Sequence, residues 1–159
     1  MHEQVTPTIG NTNERPNESI LGIGYSLLVR AEETDGNYEL MKFVVPAGAG
    51  PPPHVHQRED ECFLLVDGEL EVWIGGTTVP AKVGTCIHLP RGVAHAFRNV
   101  SDRQATFLCW VTPGNLAGFF DAFKTTWPTD TESPPSVNES SIAKMLAVAP
   151  DFGIDIMTG

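Results

Sequence analysis

Residues 54–61 read HVHQREDE. In an extended chain, residues two apart project to the same side, so His54 and His56 face one interior together. The chain has five histidines in all, and two of them fall within this stretch. Glu61 has the wrong parity to join them on one unbroken strand, but the polar residues Gln57 to Asp60 can bulge or turn. After them Glu61 opens the apolar run CFLLV. A carboxylate leading such a run is costly to bury unless it is paired or bound to a metal.

Short strands surround this stretch. GYSLLVRAEE and NYELMKFVV read as strands flanking TDGN, whose Asp35-Gly36 pair signals a hairpin. PAGAGPPP is a stiff loop that cannot be helical. CFLLV and ELEVWI are joined through Asp67-Gly68, and Gly75-Gly76 turns into TTVPAKV. CIHLP, AHAFRN and ATFLCWV complete the run. Strands at this spacing, with turn signals between them and no βαβ rhythm, predict an all-β sandwich or barrel.

The pattern changes after Pro113. Leu116, Phe119, Phe120 and Phe123 fall at helical spacing, with Asn115 in the N-cap position. TWPTDTESPPS is a polar, proline-bearing linker. NESSIAKMLAVA reads as a second amphipathic helix with Ile142, Met145, Leu146 and Ala149 on one face, stopped by Pro150. The chain divides into an N-terminal arm over residues 1–19, a barrel over 20–112 and a helical segment packed on it over 113–159.

A second spaced pattern lies in GTCIHLPRGVAHAFRN, where Gly84, Pro90, Gly92, His95 and Asn99 are separated by five, one, two and three residues. The first stretch gives Gly48, His54, His56, Glu61 and Gly68, separated by five, one, four and six. Together these resemble, position for position, the two motifs of the cupin family. EETDGNYELMKFVVPAGAGPPPHVH, PGNLAGFF and LAVAPDFGIDI extend the likeness to small single-domain cupins related to quercetin dioxygenase, over roughly residues 21–157. The resemblance implies a double-stranded β-helix, a jelly-roll barrel. It also implies that His54, His56, Glu61 and His95 bind one divalent transition metal: iron, manganese, nickel, cobalt or zinc. Three imidazoles and a carboxylate are borderline donors that suit those metals.

The activity implied is a metal-dependent dioxygenase. It would act on a small phenolic or enolisable compound with dioxygen as co-substrate, and Glu61 would also take the substrate proton. Phe63, Leu65 and Phe97 are expected to line the pocket. Phe119 and Phe123 are expected to close it as a lid, or else to pack on an outer sheet face or an interface. The same site would also serve a cupin that captures a ligand without turnover, or an isomerase or decarboxylase. By analogy with cupins, a homodimer is expected.

Composition narrows the setting. A formal net charge of -10 leaves no electrostatic footprint for nucleic acid or anionic lipid. The N-terminal stretch has no apolar h-region and no run approaches a membrane span, so a cytoplasmic setting is expected. Cys62, Cys86 and Cys109 each sit in an apolar run and read as small buried residues. Glu59 and Asp60 read as a solvated turn, with the option of a hydrogen bond to a ligand histidine. His88 reads as exposed, Arg91 and Arg98 as surface residues, and His2 as part of the arm.

Overall fold

The computed structural model describes residues 6–128 and 136–158. His2 and most of the proline-bearing linker lie outside the described residues. Twelve strands and two α-helices follow one another along the described chain. The strands are β1 (Glu18–Ile20), β2 (Ile23–Val29), β3 (Glu39–Val45), β4 (His54–His56), β5 (Asp60–Asp67) and β6 (Glu69–Ile74). They continue as β7 (Thr77–Lys82), β8 (Cys86–Leu89), β9 (His95–Arg98), β10 (Ala105–Thr112), β11 (Thr125–Thr126) and β12 (Ile154–Ile156). The helices are α1 (Leu116–Asp121) and α2 (Glu139–Val148).

Two antiparallel sheets face each other as a double-stranded β-helix. One has the order β11-β1-β2-β3-β10-β5-β8 and the other β12-β4-β9-β6-β7. The period-two pattern decides which side chains meet. On β10, Ala105, Phe107, Cys109 and Val111 alternate inward, and on β5 Glu61, Phe63 and Leu65 do the same. Register then builds transverse rows across the large sheet. Tyr25, Phe43, Phe107 and Leu65 form one row, with the Phe43 and Phe107 rings stacked at 5.0 Å. Glu39, Val111 and Glu61 form another, and both carboxylates in it are buried.

Two motif residues serve the backbone. Gly68 has φ 76°, and a Cβ there would meet the Ala105 Cα and Gln104 carbonyl at 2.8 Å, so only glycine fits the β5–β6 turn. Asn99 is fully buried. Its amide donates to the carbonyls of Val45 (2.9 Å) and Arg103 (2.7 Å), and its Oδ1 accepts from Ser101.

Several local expectations need correction. The first strand ends at Val29, and Ala31–Thr34 form a 3-10 turn instead of continuing it. The segment from 113 to 159 is helical only in part: β11 pairs with β1 and β12 pairs with β4. Strands of two or three residues carry no period long enough to read. On α2 the buried row is Ser141, Met145 and Ala149, while Ile142 and Leu146 are 37% and 40% exposed. Those two side chains lie beside Val137, Trp73 and Met157 in an apolar surface groove. Of the cysteines, only Cys109 is buried; Cys62 is half-buried and Cys86 exposed, because they point outward from β5 and β8. The arm does not hang free over residues 12–14. The buried Lys42 ammonium donates to the carbonyls of Thr12 (2.6 Å) and Glu14 (2.8 Å). No helix among the described residues is long and apolar enough to cross a membrane.

Helix α1 is capped from another strand. Asn115 occupies the N-cap position but its side chain makes no capping bond. Instead Glu39 Oε2 accepts from the backbone amides of Leu116 (2.9 Å) and Ala117 (3.3 Å). Burial pushes the Glu39 carboxyl above its usual range, and the two amide donors pull it back only in part. Glu39→Ala would leave those donors unpaired. The expected loss is about 1–3 kcal/mol of unfolding free energy, measured by calorimetry, with Glu39→Gln retaining most of it. A Glu39→Ala protein as stable as the parent would refute the cap.

Candidate metal centre

Two sheets supply the cluster, and this resolves the parity problem of the first stretch. His54 and His56 lie on β4 in the small sheet. The chain then turns through residues 57–59 and crosses to the large sheet, where Glu61 points inward from β5. His95 lies on β9 directly opposite His54. One ligand atom from each of His54, His56, Glu61 and His95 lies within 4.8 Å of all the others. Such a group can hold a metal ion.

Hydrogen bonds orient the rings. His54 Nδ1 lies 2.9 Å from the Pro52 carbonyl, and His95 Nδ1 lies 3.0 Å from the Val93 carbonyl. A carbonyl only accepts, so each Nδ1 carries a proton, and Nε2 of each ring is the atom turned toward the cluster. His56 Nδ1 is held by Glu59 Oε2 at 3.3 Å. Glu59 is therefore no solvated turn residue: it is buried behind His56. Histidine ligands are commonly oriented by an outer carboxylate or carbonyl of this kind. Asp60 does stay near the surface, where its carboxylate accepts from the Arg91 backbone amide (2.9 Å) and guanidinium (3.1 and 3.2 Å).

The electrostatics differ from one residue of the cluster to the next. Burial, then the neighbouring His56 and His95, lower the His54 pKa to about 4, so that ring is neutral at physiological pH. Burial opposes ionisation of Glu61, but His56, His95 and His54 together hold its carboxyl down to about 2. For His56 burial works against the charge, and the carboxylates of Glu61 and Glu59 outweigh it and raise the pKa. Cys109 Sγ, 3.9 Å from Glu61 Oε1, backs the carboxylate from the core. Its thiol is pushed well up by burial and by Glu61.

The fit to a cation rests on two orphaned atoms. Glu61 Oε2 and His95 Nε2 are buried and have no hydrogen-bond partner, although they lie only 2.8 Å apart. In the Nδ1–H neutral form of His95, a ring lone pair would face a carboxylate lone pair. That arrangement is unfavourable in a dry interior unless a positive ion sits between the two. Three imidazole nitrogens and one carboxylate oxygen match a borderline divalent metal.

The cluster opens on an apolar cavity of about 70 Å³. His54, His56 and Glu61 reach its wall, together with Phe63, Phe97, Phe119 and Phe123. Leu65 does not. One pair further along β5, it packs under the Gly84–Thr85 turn at the far end of the strand, bonded through its backbone to both residues. Sequence reasoning missed Phe43, Phe107 and Phe120, which belong to strands and a helix face already recognised as apolar. It also did not bring to the cavity Met145, read only as part of an apolar helix face, or Ile154, from a strand too short to read. Helix α1 packs its aromatic side chains against the cavity: Phe120 meets Tyr25 at 5.1 Å and Phe43 at 6.0 Å, and Phe119 meets Phe152 at 5.7 Å.

Known proteins resemble this chain in the same region. It is 22% identical over 96 residues to quercetin 2,3-dioxygenase of Bacillus subtilis, covering 60% of this chain and 28% of that one. It is 31% identical over 91 residues to polyketide synthase CurC of Streptomyces cyaneus, covering 55% and 59%. The chain thus spans under two thirds of the length of either relative. Among solved structures, KdgF from Halomonas sp. superposes with a TM-score of 0.61 at 17% identity, covering 69% of this chain and 96% of that one. The cupin domain family matches residues 41–111, the stretch that runs from β3 to β10 and contains all four clustered side chains. Residues 41–111 are thus similar to the cupin domain family, and the fold around them is the double-stranded β-helix that the KdgF structure shares.

Proposed function

We propose that this protein is a metal-dependent cupin oxygenase of quercetin-dioxygenase type, acting with dioxygen on a small phenolic or enolisable compound. The observation that carries this reading is the position of His54, His56 and Glu61 in the wall of an otherwise apolar cavity. These three and His95 would hold one divalent transition metal: iron, manganese, nickel, cobalt or zinc. When bound, the metal would supply Lewis acidity toward a substrate oxygen.

The remaining tasks fall to the protein. Glu61 is the acidic residue of the cavity wall, and its Oε2 has no hydrogen-bond partner, so it is placed to accept the proton of an enol or phenol. Cys109 and the imidazoles fix the carboxylate in place. Phe63, Phe97, Phe119 and Phe123 form a dry, aromatic enclosure that suits a planar ring and excludes water. The name of the Bacillus relative supports oxygen chemistry. That of the Streptomyces relative supports a polyketide-like, enolisable substrate. A volume of about 70 Å³ is small beside the roughly 300–1,000 Å³ of drug-sized sites. A flavonol-sized compound therefore requires α1 or Met145 to move aside, whereas a compact diketone needs less room. The reading includes a cytoplasmic homodimer, checked by sedimentation equilibrium.

Dioxygen uptake by metal-loaded protein, with a panel of diketones, catechols and flavonols, tests the activity. Uptake that Glu61→Gln abolishes supports it. Product formed without dioxygen points to an isomerase or decarboxylase, and tight binding without turnover to a ligand-capturing cupin.

The isolated protein is expected to carry about one divalent metal per chain. His54→Ala, His56→Ala and His95→Ala should each lower that content strongly. Glu59→Gln, which acts only through His56, should weaken metal affinity by roughly 10–100-fold. Full occupancy in all three histidine variants, measured by elemental analysis, would place the site elsewhere.

Chelation should lower the thermal midpoint while leaving the β-sheet circular dichroism intact. The barrel has its own apolar core, and the metal adds only ligand linkage.

Phe119→Ala and Phe123→Ala should each cost about 3–5 kcal/mol of stability. Both should also change ligand affinity or turnover with metal content preserved. Variants that merely melt earlier would reduce α1 to a packing element.

A further inference from the structure

Away from the metal centre, on the outer face of the large sheet, two thiols lie against each other. Inward alternation of Glu61, Phe63 and Leu65 on β5 turns Cys62 outward. Register with β8 sets Cys62 opposite His88 and Leu64 opposite Cys86, so Cys86 is the diagonal neighbour of Cys62 on the same face. Their sulfurs are 3.4 Å apart, with Cys86 exposed and Cys62 half-buried. A disulfide needs the sulfurs at about 2.05 Å. The movement required falls on β8, a four-residue edge strand bonded on one side only and entered through the Gly84 turn. Edge strands give way more easily than central ones, since half their backbone groups are unpaired.

We propose that Cys62 and Cys86 form a dithiol modification site that small disulfides of the glutathione class oxidise to an intramolecular disulfide. The Cys86 thiolate attacks one sulfur of the oxidant and expels the other half as a thiolate. Cys62 then gives up its proton and attacks Cys86 Sγ, expelling the second half. Two protein thiols are oxidised and one small disulfide is reduced to two thiols, with no other reactant. The ring closed spans residues 62–86 and contains β6 and β7, which belong to the opposite sheet. The disulfide joins two adjacent strands of the large sheet, and by closing a loop that runs through the opposite sheet it restricts the unfolded chain and raises stability. Cys109 is fully buried in the core and takes no part.

The test uses the metal-loaded chain, reduced, desalted and equilibrated with mixtures of reduced and oxidised glutathione. It is then quenched with acid, and remaining thiols are labelled under denaturing conditions. The expected product has lost two hydrogens, yields a Cys62–Cys86 cross-linked peptide, carries label on Cys109 alone and melts at a higher temperature. Dithiothreitol reverses all of this. Cys62→Ser, a small change at a half-buried site, should stop at one glutathione adduct on Cys86. Three labelled thiols, glutathione on both Cys62 and Cys86 without a cross-link, or a disulfide between two chains on a non-reducing gel would each overturn the proposal.

Discussion

A carboxylate buried among three imidazoles is the constraint around which this barrel is organised. Glu61 is buried and points an unpartnered oxygen at an unpartnered ring nitrogen. Such an arrangement is tolerable only when the charges around it are fixed. The surrounding structure fixes them. The Pro52 and Val93 carbonyls and the Glu59 carboxylate hold the outer nitrogens of His54, His95 and His56. Gly92 donates its amide to the His56 carbonyl at 2.8 Å, pinning the ligand strand to the turn before β9.

The same transverse row carries a second buried acid with a different task. Val111 stands between Glu61 on one side and Glu39 on the other. One carboxylate faces the metal group and the other receives the first amides of α1. Helix α1 is therefore registered to the histidine–carboxylate cluster through a single rung of the sheet, which holds its aromatic side chains in a set position relative to the cluster.

The sequence revealed most of the barrel through short-range spacing, and the resemblance of its two spaced motifs to those of cupins picked out all four clustered side chains. The His54 and His56 pair, the turns at Asp67-Gly68 and Gly75-Gly76, and the five-residue steps around each motif are local facts. What escaped depended on register or on distant partners. The burial of Glu59 follows from where the turn after β4 places it, and nothing in REDE distinguishes it from Asp60. The cap on α1 comes from a residue 77 positions upstream. The contact of Cys62 with Cys86 requires the pairing of β5 with β8, which two cysteines in separate apolar runs do not announce. The inner row of α2 was drawn too wide: Met145 and Ala149 are buried, whereas Ile142 and Leu146, equally apolar, are exposed.

The pairing of β12 with β4 bears on the order in which the molecule is assembled. Strand β4, which carries His54 and His56, has β9 on one side and β12 on the other. Ile154 pairs with His56 and Ile156 with His54, about a hundred residues later in the chain. On a ribosome, the segment bearing these two histidines emerges long before either of its neighbours exists. It cannot be hydrogen-bonded along both edges until residue 156 has cleared the exit tunnel. Any ion captured before then would be held by a strand still free to swing, and durable retention belongs to a late stage of synthesis.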